Sequence, residues 1–188
     1  MRRGSIFIIL FILAVVLAAA TLYLGNEYWI HRYDDLILRH ASVYRVEPKL
    51  VWSVIYEETY FRSTVVGDAE EVGLMQVTPT VAREWAKQTG LKEIEQKTSD
   101  NVREFISEPE RNIQVGCWYL EQLGEKYRGL QAQTAMTLAA YNAGPSRVEE
   151  WLEGVDRETI SEAEFIKRIK INSTRLYVSS ILRRFRED

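Results

Sequence analysis

Apolar positions return with the period of a helix along nearly the whole chain. Residues 5–24 are apolar and almost uncharged. A run of about 20 such residues is long enough to cross a bilayer as a helix. Over residues 28–44 one face repeats at helical spacing through Tyr33, Leu36, Ile37, His40, Ala41 and Tyr44. Pro48 sits where a helix can begin, and residues 50–58 continue from it. Residues 66–73 read as a loop with glycines near each end. Thr78-Pro79 predicts an N-cap and a first helical proline, with Gly90 ending that helix. Residues 92–106 are polar and ambiguous. Pro109 opens an amphipathic helix to about residue 127, and residues 132–141 form an alanine-rich, central one. Gly144-Pro145 breaks it before a short helix to residue 152. Residues 161–164 fit a capping box, and a last helix covers residues 173–185. No run alternates as a strand would; a small hairpin near residues 66–72 is compatible with the pattern and not required by it. The expectation is an all-α, compact domain of about seven or eight helices over residues 28–188. A membrane anchor or signal segment over residues 1–27 precedes it.

The flanks of the apolar run set its expected direction. Arg2 and Arg3 precede it, and Glu27, Arg32, Asp34 and Asp35 follow, which argues for a cytoplasmic N-terminus with the remainder outside. Ala18, Ala19 and Ala20 are small enough for a signal-peptidase site, so cleavage stays open. Leu22, Tyr23 and Leu24 carry the apolar run past that point and favour an uncleaved anchor. Either way the domain is exported: held at the cytoplasmic membrane facing the periplasm, or secreted. The formal charge of −3 offers no basic excess, which argues against nucleic acid as a partner. Cys117 is the one cysteine, so no intramolecular disulfide can form. His31 and His40 are spaced too far apart for a metal pair on one helical turn, and no H-E-x-x-H occurs. No cofactor or metal is implied, and a monomer is expected.

The most informative segment is 50–58. At 100° per residue Leu50, Val51, Val54 and Ile55 form one stripe. Glu58, four residues after Val54 and three after Ile55, extends that stripe with a carboxylate. Glu57 falls at the stripe's edge, near Ser53. Burial and the negative end of the helix dipole both disfavour ionisation, so Glu58 is expected to hold a raised pKa, as a general acid requires. The bland alternatives are a glutamate paired with a buried arginine, or a helix that ends early and leaves Glu58 in water.

The following residues weigh against the bland readings. Glu58-Thr59-Tyr60-Phe61 is followed by Gly73-Leu74-Met75-Gln76, then Asn112-Ile113 with Gly116 and Tyr119-Leu120, then Ala140-Tyr141-Asn142-Ala143-Gly144, then Thr174-Arg175 and Tyr177-Val178. This order resembles the soluble-lytic-transglycosylase-like catalytic domain of the goose-type lysozyme superfamily, glycoside hydrolase family 23. The resemblance covers roughly residues 31–182. It implies a lysozyme-like helical fold and gives Glu58 the role of catalytic glutamate, with Thr59, where the family has serine, among the residues that meet the substrate. It implies that Met75 and Gln76 line the cleft, and that Tyr141, Asn142 and Tyr177 approach the substrate. Asn112, Gly116 and Tyr119 read as architectural. The family's loop pattern S-x-x-G-A-x-G departs here: residues 67–73 lack its serine, middle glycine and alanine, and carry Glu70 and Glu71 instead.

The activity implied by the resemblance is cleavage of the MurNAc–GlcNAc β-1,4 bond in peptidoglycan glycan strands, with closure of a 1,6-anhydro ring on the muramyl sugar. Three alternatives stay open. A lysozyme-type hydrolase on the same fold needs a second carboxylate, with Asp68, Glu70 and Glu71 the nearby candidates. A non-catalytic peptidoglycan-binding module needs none. An anchored structural protein with no glycan role would hold Glu58 merely in an ion pair.

Overall fold

The computed structural model describes residues 2–187. The expected orientation rests on Arg2 and Arg3, whose side chains lie outside the described residues. The helices are α1 (Arg2–His31), α2 (Asp34–Tyr44), α3 (Pro48–Thr59), α4 (Pro79–Thr89), α5 (Lys92–Glu95), α6 (Ser99–Ser107), α7 (Pro109–Lys126), α8 (Gln133–Ala143), α9 (Pro145–Leu152), α10 (Glu162–Arg168) and α11 (Asn172–Arg186). The chain separates into two compact units between Asp34 and Asp35.

The first unit is essentially α1. It is the one described helix long and apolar enough to cross a membrane. Its large apolar side chains from Ile6 to Leu24 are each more than half exposed. The helix runs unbroken through Ala18–Ala20 and on to His31. The single helix expected over residues 28–44 is therefore two: α1 ends at His31, residues 32–33 turn, and α2 begins at Asp34.

The second unit is all-α and holds ten helices among the described residues, against the seven or eight expected. The difference is the ambiguous stretch 92–106, which folds as α5 and α6. There Thr98 caps α6 by accepting from the Asn101 N–H, and Val102 and Ile106 bury themselves one turn apart. The predicted caps form elsewhere too. Thr78 accepts from the Val81 N–H at the start of α4, and Ser161 and Glu164 make a reciprocal capping box on α10.

The core is built around α8. Ala135, Met136, Leu138, Ala139 and Ala140 are fully buried, and α7, α9, α10 and α11 pack around them. Small side chains let these neighbours approach closely. Larger ones, such as Ile55, Phe61, Trp85 and Phe165, fill the remaining space, each contributing about 1.5–3 kcal/mol on burial. Helix α3 packs on α11.

The segment between α3 and α4 forms no strand. It makes two isolated antiparallel bridges, Val66 with Val72 and Val72 with Val77, where a hairpin was compatible with the sequence. One buried side chain pins it. Asn112 on α7 donates from Nδ2 to the Val72 and Ile106 carbonyls, each at 2.8 Å, and accepts from the Met75 N–H at 2.7 Å. Gly73 makes this possible. Its φ is 76°, and a Cβ there would collide with the Asn112 amide.

Candidate active site

Helix α3 ends in a sharp exit. Tyr60 and Phe61 both adopt positive φ, at 50° and 60°, and the Tyr60 N–H closes the helix on the Tyr56 carbonyl. Phe61 is fully buried and anchors the turn. The last helical turn thus holds Glu57 and Glu58 rigidly at the end of α3.

Glu58 is half-buried. Its Oε1 accepts a 2.7 Å hydrogen bond from the Tyr177 hydroxyl on α11. Enclosure by protein raises its pKa from the ordinary 4.5 to about 7; the Tyr177 bond pulls the other way, and the charges of Glu71 and Glu57 push it further up. Packing around the carboxyl is dense although the residue keeps some open surface. Both matter, since an acid must be desolvated and still touch its ligand. Near neutral pH both protonation states are populated, which suits a group that gives a proton and then takes one back.

Two tyrosines flank this carboxyl, and burial beside it pushes both phenols well up. Tyr177 is 7% exposed with its hydroxyl committed to Glu58, so it orients the acid. Tyr141, at the end of α8, donates to the Met75 carbonyl at 2.7 Å. It also borders a recess lined by Gln76, Val77, Thr78, Val81 and Tyr119. Asn142 is exposed, and the Thr174 hydroxyl donates to its Oδ1 at 2.7 Å, which presents the amide nitrogen as a donor. Gln76 is half-exposed at φ 46°, and its Nε2 donates to the Gly73 and Val65 carbonyls at 2.9 and 3.2 Å.

Two residues expected to face substrate do not. Thr59 is 1% exposed, and its hydroxyl bonds the Leu74 and Ile55 carbonyls at 3.0 and 3.3 Å. It ties the end of α3 to the loop. Met75 is fully buried, its sulfur filling space that a Cβ on Gly116 would occupy. What Met75 contributes is its backbone, which accepts from Tyr141 and donates to Asn112. These two side chains are core, and the correction follows from their lack of accessible surface.

Tyr119, read as architectural, lines the recess with its ring against that of Tyr141, centroids 5.5 Å apart. Its place on α7 four residues before Leu123 carries no hint of this. Glu71 is half-buried in the loop before Gly73, and its negative charge adds to the rise in the Glu58 pKa. Among the described residues no group of three His, Cys, Asp or Glu side chains could hold a metal ion.

Comparison with known proteins places this geometry in context. A protein-family model described as Transglycosylase SLT domain matches residues 35–163. The soluble lytic murein transglycosylase of Escherichia coli is 28% identical over 150 residues, covering 80% of this chain and 22% of that protein. Membrane-bound lytic murein transglycosylase C of Yersinia pestis is 31% identical over 123 residues, 63% of this chain and 33% of that protein. The crystal structure of the 70-kDa soluble lytic transglycosylase from Escherichia coli superposes with a TM-score of 0.66 at 27% identity, over 81% of this chain and 23% of that one. The chain thus spans a third or less of the length of these relatives.

Proposed function

The chain belongs to the transglycosylase SLT family, and from that premise we propose that it is a peptidoglycan lytic transglycosylase with Glu58 as its only acid/base. The observation that carries this reading is the Glu58 carboxyl, held near neutrality by enclosure and aimed by Tyr177. Protonated Glu58 donates to the oxygen bridging N-acetylmuramic acid and N-acetylglucosamine, and the C1–O bond breaks. The substrate's acetamido group stabilises the cation that develops. Glu58, now ionised, takes the proton of the muramyl 6-hydroxyl, whose oxygen closes on C1 as a 1,6-anhydro ring. Because the nucleophile belongs to the substrate, proximity replaces a second protein group. The recess beside Tyr141, with Gln76 and Asn142 at hand, supplies donors and an aromatic wall for neighbouring sugars.

Helix α1 supports a tethered enzyme, anchored in the cytoplasmic membrane with the domain on the outer side. The names of the relatives support an envelope substrate: one is called membrane-bound, and both are called murein transglycosylases.

Digestion of purified sacculi, read by mass spectrometry of the released sugars, tests the proposal. Anhydro ends, one water lighter than reducing ends, are expected. Glu58→Gln should lower release by about 10²- to 10⁴-fold with the fold retained. Equal release by the folded variant and the parent overturns the assignment.

A further inference from the structure

Within the first unit, tyrosine and tryptophan are gathered at one end. The first 22 residues hold neither, and Tyr23, Tyr28, Trp29 and Tyr33 all stand within the next eleven. The apolar stretch from Ile6 to Leu24 is helical throughout, and Thr21 inside it donates its hydroxyl to the Leu17 carbonyl at 2.9 Å. At 1.5 Å per residue that stretch is about 28 Å long, close to the hydrocarbon thickness of a bilayer. The headgroup layer beyond the hydrocarbon is about 5–8 Å deep. Tyr28 and Trp29 stand four and five residues past Leu24 on the same helix, about 6–8 Å further along its axis, and so within that layer. Tyr28 is 74% exposed and Trp29 36%. Rings with an apolar body and a polar tip suit a layer that is apolar on one side and wet on the other.

The charges at this end are equally particular. The Arg32 guanidinium lies 3.4 Å from the centre of the Trp29 ring and 4.8 Å from that of Tyr33. Stacking uses the flat faces of a guanidinium. Its five N–H donors lie round the edge, in the geometry that grips a phosphate, and stacking consumes none of them. Beside it His31 meets two carboxylates, Asp34 at 2.7 Å and Glu27 at 3.6 Å. Residues 27–34 therefore hold one stacked cation and two acids. The acids repel a purely anionic surface. A headgroup that carries both a phosphate and an ammonium answers both signs.

We propose that residues 27–34 form a collar for zwitterionic phospholipid headgroups, with phosphate on Arg32 and ammonium on Glu27 and Asp34. An apolar run by itself tolerates tilt and sliding, and a collar at one end fixes the depth of that end. The proposal rests on the reading of α1 as a membrane tether and adds to it the lipid that the tether meets on the outer side.

The full chain reconstituted in vesicles of phosphatidylethanolamine and phosphatidylglycerol gives the test through the emission of Trp29. That emission is the difference between the parent and Trp29→Phe, with circular dichroism verifying that both are folded. A spin label on the fifth acyl carbon should quench it about twofold more than one on the twelfth. At the fifth carbon, a label carried on phosphatidylethanolamine should quench about twofold more than one on phosphatidylglycerol, and Arg32→Gln should abolish that preference. Glu27→Gln, which removes a partner of the ammonium, should weaken it too and decides the matter if Arg32→Gln does not insert. Equal quenching at both depths, or more at the twelfth carbon, overturns the collar. A parent without the phosphatidylethanolamine preference, or a preference that survives in the inserted variants, overturns the choice of headgroup. A parent that does not float with the vesicles overturns the tether reading itself.

Discussion

The last turn of α3 carries adjacent glutamates on two flanks that differ in every respect but residue type. On one flank Glu57 meets Arg184, with both guanidinium nitrogens 3.2 Å from Oε2, and the same guanidinium lies 4.0 Å from the centre of the Tyr56 ring. Its negative charge is answered. On the other flank, among the described residues, Glu58 meets a phenol hydroxyl and the repulsion of two like charges. One helical step of 100° separates a structural ion pair from a proton donor. Chemistry here follows from what lies opposite a side chain, and the side chain itself is constant.

The comparison can be broken most severely through Glu58→Gln, whose expected loss of sugar release is the largest effect described. The same substitution should act on stability in the opposite sense. The folded-state pKa of about 7 lies above the ordinary 4.5, so the folded protein binds more protons than the unfolded chain across that window. Stability therefore falls as pH rises from about 4.5 to 7, and the deficit persists above it. Glutamine cannot ionise. Glu58→Gln should be more stable than the parent by roughly 1–3 kcal/mol at pH 8, with the difference shrinking toward pH 4. Urea unfolding at both pH values measures this, and a variant less stable than the parent at pH 8 would contradict it.

Tyr177→Phe is next in size. It removes the one hydrogen bond that favours the ionised form of Glu58, and it frees the carboxyl to rotate. Activity should drop by about tenfold at its optimum. The basic limb of the pH profile, where the acid loses its proton, should move to higher pH. A drop with the limb unmoved would mean that Tyr177 serves only packing. Glu57→Gln should be the mildest, with activity within about twofold of the parent. Its lost charge should shift the basic limb slightly to lower pH, opposite to Tyr177→Phe. A loss as large as that of Tyr177→Phe would erase the distinction between the flanks.

Much of this architecture was legible because it is local. Caps at Thr78 and Ser161, breaks at Gly90 and Gly144, and the alanine-rich core helix are each written within a few residues. So is the stripe Leu50, Val51, Val54, Ile55 that leads to Glu58. What sequence spacing could not carry was partnership at a distance. Tyr177 is 119 residues from Glu58, and only the family resemblance brought the two together. Proximity along the chain also misled. Thr59 and Met75 are neighbours of Glu58 and Gln76, yet each points into the core: Thr59 lies one helical step of 100° from Glu58, and the chain turns at Gln76, whose φ is 46°. The path of the loop between α3 and α4 depends on Asn112, Gly73 and paired valines acting together. No single one of these predicts it.

Asn112 has a consequence for how a sugar chain is received. Its three hydrogen bonds hold Val72, Met75 and Ile106 to one side chain, so the wall that carries Gln76 cannot loosen unless the α6–α7 junction loosens with it. That wall is then as stiff as the helices behind it. A glycan would enter a groove already shaped, spending little of its affinity on ordering protein and leaving more to distort the sugar toward its reactive form.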